Sequence, residues 1–405
     1  MGKVTAKNII RRNRILRLLL EEGKLSLTEI SKRTGISLPM VSKLINSLKK
    51  EKFIRTEEGA RTDRAGRPPI IAQLNGDAGY VVGIDLGHRN TNIIIMNLRQ
   101  KVILEKHIAS LSLGSDPALI EWLVKITEEA IDEAVLARKD LFGIGLSIPG
   151  IVRGREGRGI TYLNFGERTV AQLLQERFNK PVHIEHDAKA MALGERWFGA
   201  ARSANNVLVL NVGWGLGLGI LIDGKIYYGR DGYAGEFGHI QIIRDGELCE
   251  CGKYGCLETV ASGKAIGKRA KEKLALGQNS KLLQICNGDL SRIDAELVAK
   301  TALTGDKFSI EILEEAGRYL GEGLAQLINL FNPEKIIIGG RVSQAGQFIL
   351  DSVRSTAMKL SLIQLGSVVD FTISELGVNA GALGVAMLAT RDIFEVEHLN
   401  PTAYV

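Results

Sequence analysis

The sequence predicts an α/β body of two lobes facing a cleft, preceded by an N-terminal winged helix-turn-helix domain. Two observations predict it. Residues 1–70 hold 17 Lys and Arg against 7 Asp and Glu, or +10, so a chain with net charge +6 leaves −4 on residues 71–405. Two stretches, beginning at Tyr80 and at Val207, share one pattern: an apolar strand, a Gly-bearing turn, a second strand, a turn and a third strand. Each leads into helix-like segments and further short apolar strands (Phe142 to Ile148; Lys335 to Ile338), the recipe for a sheet-and-helix lobe. Apolar residues make up 45% and charged residues 24%, enough to bury sizeable cores.

Composition also excludes some classes. The N-terminus is polar and basic, and its first apolar run, Ile15 to Leu20, is broken by Arg17, unlike a secretory signal. The least charged stretch, the 16 residues from Val207 to Ile222, contains four glycines and is too short for a membrane span. The expectation is a cytoplasmic protein with no membrane partner.

The head, residues 1–72, reads element by element. Ile9, Ile10, Ile15, Leu16, Leu19 and Leu20 recur at helical spacing, and Gly23 closes that helix. Ser26 or Thr28 caps a short second helix through Arg33, and Gly35 supplies a tight turn. Ser37 caps a third helix with Pro39 in its first turn. Val41, Leu44, Ile45 and Leu48 lie on one face of that helix, with Met40, Ser42, Lys43 and Asn46 mostly on the other. A strand at Phe53 to Thr56, a polar tip and a return at Ile70 to Ala72 make a wing. Two short helices around a Gly turn are a DNA-binding arrangement. The expected DNA contacts are Ser37, Met40, Ser42, Lys43 and Asn46, with Arg64 and Arg67 of the wing entering a minor groove, whose negative potential draws guanidinium groups. A small helical bundle that binds protein is the plainer alternative. Residues 73–79 are expected to be a linker, and 80–405 the body.

Three of the four cysteines, Cys249, Cys251 and Cys256, lie within eight residues. Cys-x-Cys spacing is poor for a disulfide between neighbours, so metal binding is the leading explanation. The segment from Gly235-Glu236-Phe237-Gly238-His239 through Cys249-Glu250-Cys251-Gly252-Lys253-Tyr254-Gly255-Cys256-Leu257-Glu258 resembles the signature of the ROK family, and the likeness runs through the whole body. That family comprises sugar-responsive repressors and sugar kinases. The resemblance implies actin/hexokinase-like lobes and, with the head in front, a repressor of sugar-utilisation genes.

The chemistry of the motif supports this independently. His239 with the three thiolates makes a Cys3His set with no open position, which suits a structural zinc ion. By resemblance, Asp187, Glu236, His239 and Glu258 contact a sugar, and Asn164 and His186 line the same pocket; the turn at Ile148-Pro149-Gly150 borders it. Carboxylates and imidazoles are the groups a polyhydroxyl ligand requires. In kinases of the family the position of His186 is usually Asn, so the identity of the sugar stays open.

A kinase would use Asp187 as general base and Gly-rich turns for ATP phosphates. Both turns depart from the family pattern. His88 stands where a second Gly is usual, and Trp214 where a hydroxyl residue is usual. The expectation is therefore no enzyme activity, the alternative being an ATP-dependent sugar kinase carrying a DNA-binding head. The expected partners are double-stranded operator DNA, a sugar effector that releases the DNA, and a second copy of the chain in a homodimer or higher homo-oligomer. Release by a partner protein without a small ligand is the alternative signal.

Overall fold

The computed structural model describes residues 3–59 and 68–394. Helix α1, Lys3–Glu22, buries Ile15, Leu16, Leu19 and Leu20. Gly23 ends it at φ +80°, donating its N–H to the Leu19 carbonyl, in a conformation a side chain resists. Strand β1, Leu25–Ser26, leads into helix α2, Leu27–Thr34. Ser26 rather than Thr28 is its cap, in a reciprocal capping box with Glu29. Gly35, at φ +66°, turns the chain into helix α3, Leu38–Lys50. Ser37 holds the cap position of α3 without a side-chain hydrogen bond to it, leaving Pro39 to shape the first turn.

Strands β2, Ile54–Glu58, and β3, Ile70–Leu74, form the antiparallel wing. The pairing continues toward its tip through the Gly59 N–H to the Pro69 carbonyl at 2.7 Å. β1 pairs with the other edge of β3, Leu25 opposite Ala72, a third strand that the sequence pattern does not predict. Arg64 and Arg67, with Arg61, lie outside the described residues.

The body contains two five-stranded sheets. The first takes β4 (Tyr80–Leu86), β5 (Asn90–Asn97), β6 (Val102–Ala109) and β7 (Leu141–Ile148). After a small ribbon of β8 (Val152–Arg153) and β9 (Arg158–Gly159), β10 (Val182–His186) completes it in the order β10-β7-β4-β5-β6. The second is built from β11 (Val207–Val212), β12 (Leu216–Ile222), β13 (Lys225–Ile226), β14 (Lys335–Gly339) and β15 (Asp370–Ile373). Its order, β13-β12-β11-β14-β15, is the first order repeated: an antiparallel meander flanked by two parallel strands. The sequence repeat is thus a topological duplication. Central strands β4, β5, β11 and β14 are apolar and buried almost throughout, because helices cover both faces.

Two helices cross between the lobes. Asp187–Phe198 follows β10 of the first lobe but packs on β12 of the second, where a Cβ on Gly219 would lie 2.5 Å from the Ala188 carbonyl. Ala380–Ile393 follows β15 of the second lobe but packs on β4 and β7 of the first, with Gly83 against the Ala382 carbonyl and Gly145 against that of Val385. The helices meet where a Cβ on Gly384 would lie 1.7 Å from the Ala190 carbonyl, a spacing only glycine permits.

The head is docked on the first lobe. Its core residues Ile45, Leu48, Ile54 and Leu74 are continuous with Val81, Ile94 and Met96 of the sheet and with Ala382, Ala386 and Met387 of the second crossing helix. The Phe53 and Phe142 rings lie 5.7 Å apart, and Gln100 Nε2 donates to the Leu20 carbonyl at 2.7 Å. β3 runs through Leu74, and Gly76–Ala78 forms a 3-10 turn within the stretch expected as a linker. Among the described residues no helix is long and apolar enough to cross a membrane.

Candidate functional site

The cleft between the lobes holds a cavity of about 410 Å³, a size that suits a small ligand. β10 delivers His186 and the first crossing helix begins at Asp187, so both stand at the junction of the lobes. Asp187 accepts hydrogen bonds from its neighbour's Ala188 N–H at 2.6 Å and from Asn211 Nδ2 at 3.3 Å. Burial nevertheless pushes its pKa up to about 6. Burial drives His186 the other way, to about 4, keeping the imidazole neutral at pH 7. His186 Nδ1 lies 3.4 Å from Asp187 Oδ1 and is buried without a hydrogen-bond partner among the described residues. Glu258 opens the short helix Glu258–Ala261, and its Oε2 accepts the Leu216 N–H at 3.0 Å.

His186, Asp187, Glu236, His239 and Glu258 all line this one cavity, with Pro149 and Gly150 at its border. Asn164 does not. It sits exposed on a turn whose own backbone takes up its amide: Nδ2 donates to the Ile160 carbonyl at 3.4 Å, and Oδ1 accepts the Gly166 N–H at 3.3 Å. Thr161 and Tyr162 line the cavity instead, from the same loop. No motif marks either of them.

The other half of the cleft is formed by the two turns that depart from the kinase pattern. His88, after β4, and Trp214, after β11, meet there across the lobes with ring centroids 5.5 Å apart and planes 29° apart. Tyr162 closes edge-on against His88 at 5.4 Å. The Arg89 guanidinium lies 5.2 Å from the Trp214 ring centroid and forms an ion pair with Asp294 of the second lobe. Arg341, beside Gly340, pairs with Glu296 at 2.6 Å. The two departures from the phosphate pattern are therefore a single contact that joins the lobes. Behind it Asp85 accepts from Ser147 Oγ at 2.7 Å, and burial raises its pKa to about 6.

At the rim, the ligand atoms of His239, Cys249, Cys251 and Cys256 all lie within 4.8 Å of one another. Cys249 Sγ is 3.6 Å from His239 Nδ1, and Cys251 Sγ is 3.6 Å from Cys256 Sγ. Tetrahedral bonds of about 2.0–2.3 Å place ligand atoms roughly 3.5–3.8 Å apart. The four residues fit a single metal ion on that test. Burial, reinforced by the neighbouring sulfurs, pushes the Cys256 thiol up to about 12, so that thiolate is disfavoured without a cation. Gly255, at φ +71°, folds the loop so tightly that a Cβ would lie 1.6 Å from the Ile243 carbonyl. The loop adjoins the cleft: His239 Nε2 stands 3.9 Å from Glu236 Oε2, and both His239 and Cys251 line the cavity.

On the head, α3 exposes Ser37, Lys43 and Asn46, while Ser42 is half-buried. Met40 is half-buried too and packs against the head core, which departs from its expected place on the polar face. Helix periodicity puts position 40 four residues before buried Leu44 and eight before Leu48, on the apolar face.

Comparison with known proteins agrees with this architecture. The ROK family matches residues 81–392, and a winged helix-turn-helix DNA-binding family matches residues 10–55. The xylose repressor of Caldicellulosiruptor bescii is 33% identical over 97% of this chain and 98% of its own length. Among solved structures, a ROK transcriptional regulator homologous to the Escherichia coli MLC protein superposes with TM-score 0.80 at 28% identity, covering 96% of this chain and 98% of that one. A ROK glucokinase from Streptomyces griseus, solved with glucose and AMPPNP, matches the body alone, with TM-score 0.69 and 28% identity over 76% of this chain and 99% of its own. With the ROK match spanning the body and a winged helix-turn-helix ahead of it, the chain belongs to the ROK family.

Proposed function

We propose that this protein is a sequence-specific DNA-binding repressor of sugar-utilisation genes, released from its operator when a sugar occupies the interlobe cleft. One observation carries the reading: His186, Asp187, Glu236 and Glu258 line one cleft, and in that cleft His88 and Trp214, the two departures from the kinase pattern, stack on each other. Similarity to a xylose repressor along nearly the whole chain supports it.

In this reading residues 1–72 bind DNA through Ser37, Met40, Ser42, Lys43 and Asn46, with Arg64 and Arg67 in the minor groove. Two copies present two heads to two half-sites about one helical turn apart. The body, residues 80–405, binds sugar through His186, Asp187, Glu236, His239 and Glu258. Asn164 joins them only if its turn moves toward the cleft. Zinc is the ion matched to three thiolates and an imidazole; bound there it supplies cross-linking of the loop rather than reaction chemistry. Sugar favours one arrangement of the lobes, and the docked head follows the lobe that carries it. The protein works in the cytoplasm, where such genes are read.

Footprinting the full chain on the DNA around sugar-utilisation genes, with and without a sugar panel, tests the reading. Protection that the matching sugar abolishes is expected, and Arg64→Ala with Arg67→Ala should lower the salt slope by roughly one per arginine. No protection anywhere would overturn it. The second reading, a sugar kinase, is favoured by Asp187, whose pKa is raised by desolvation, and by Gly340, which still lines the cleft. ATP-dependent turnover at about 1 per second with any sugar would establish that reading instead.

A further inference from the structure

The ligand's charge is legible in the cleft, given the sugar-effector reading above. Besides Asp187, Glu236 and Glu258, its walls carry the carboxyl groups of Asp85, Glu250, Asp294 and Glu296. Against these seven stand two arginines, Arg89 and Arg341, and each is already paired with one of them. Lys264, the cation next to the rim, is paired with Glu250. Lys189, buried on the crossing helix, lies in the field of Glu185, Glu236 and Asp187. A zinc ion held by three thiolates and a neutral imidazole leaves its own corner at −1, so it does not reverse the sign.

The phosphate-side geometry points the same way. The two Gly-rich turns each carry a ring, and the His88 and Trp214 rings stack on each other across the cleft. The Arg89 guanidinium that reaches this region lies against the Trp214 ring with Asp294 as its partner. Like charge in a low-dielectric cleft discriminates strongly against an anionic ligand. By contrast, the orphaned His186 Nδ1 and the lone pairs of Asp187 suit the hydroxyl groups of a sugar.

We infer that the effector is a free, uncharged sugar and that the cleft rejects sugar phosphates. Calorimetric titration of the full chain with matched pairs tests this: xylose with its 5-phosphate, and glucose and N-acetylglucosamine each with its 6-phosphate. In the responding pair the free sugar is expected to bind at least tenfold more tightly. A phosphorylated member that binds more tightly than its free partner overturns this inference and leaves the sugar-effector reading standing. Heat from no member of any pair overturns both. Asp294→Asn is a second handle, because asparagine still caps the helix at the Leu297 N–H while releasing Arg89 from its ion pair. It is expected to strengthen sugar-phosphate binding severalfold, and an unchanged phosphate affinity would overturn the role assigned to the Arg89 pair.

Discussion

The turn after β4 and the turn after β11 occupy equivalent places in the two lobes, and each holds a polar residue, then a glycine, then an aromatic ring: Asp85, Gly87 and His88 in one, Asn211, Gly213 and Trp214 in the other. In both, the turn lines the cleft, and the two rings stack on each other across it. The same cavity is lined by Asp187, Glu236 and Glu258, with the His239 and cysteine cluster at its rim. One side of the cleft thus carries carboxylates, and the other an aromatic and ion-pair contact between the lobes. In the proposed reading the first is the sugar half and the second the closed half.

Three experiments would break or sharpen that contrast, in descending order of effect. Cys256→Ser should remove the metal. Structural zinc sites contribute on the order of 10 kcal/mol in small peptides. Even a few kcal/mol of that in this body predicts a melting temperature lowered by roughly 10 °C and a loss of sugar binding. Calorimetry and metal analysis check this. Unchanged sugar affinity in folded, metal-free protein would detach the loop from the sugar half.

The second is Asp187→Ala, which removes a charged acceptor worth about 1.5–3 kcal/mol, or roughly 10- to 100-fold in sugar affinity. The pH dependence supplies the sign. With its pKa at about 6, Asp187 is ionised at pH 7 and protonated by pH 5, while His186, at about 4, stays neutral across that window. Sugar affinity should therefore fall as pH drops through 6, and Asp187→Asn should flatten the profile. A profile unaltered in that variant would place the titrating group elsewhere.

The smallest effect belongs to the closed half. His88→Gly with Trp214→Thr removes the ring stack and the cation–π contact, an interaction of about 1 kcal/mol, and reopens both turns. Weak but measurable binding of AMPPNP is expected by equilibrium dialysis. If none appears, the rings are not what excludes nucleotide.

Much of this was legible in the sequence, and the rest fails for identifiable reasons. The duplicated meander, the helix-turn-helix and the zinc motif are local in the chain, so periodicity and spacing reveal them. Arg89 and Asp294, 205 residues apart, meet only once two lobes are assembled. Nothing in the spacing of His88 and Trp214 shows that their rings stack on each other. β1 is two residues long, too short for any alternation, and is defined only by pairing with β3. Asn164, placed at the sugar by resemblance alone, stands off the cavity, where its neighbours Gly166 and Ile160 supply partners. The docking of the head also depends on a helix near the other end of the chain.

That helix, Ala380–Ile393, touches the head on one side and the helix of Asp187 on another, and where the two cross, at Gly384 and Ala190, there is no side chain to compress. Joints cushioned by long side chains absorb small displacements by changing rotamers; this one is backbone against backbone, and so has no backlash. A displacement of the Asp187 helix at this crossing would meet main chain rather than a side chain that could change rotamer.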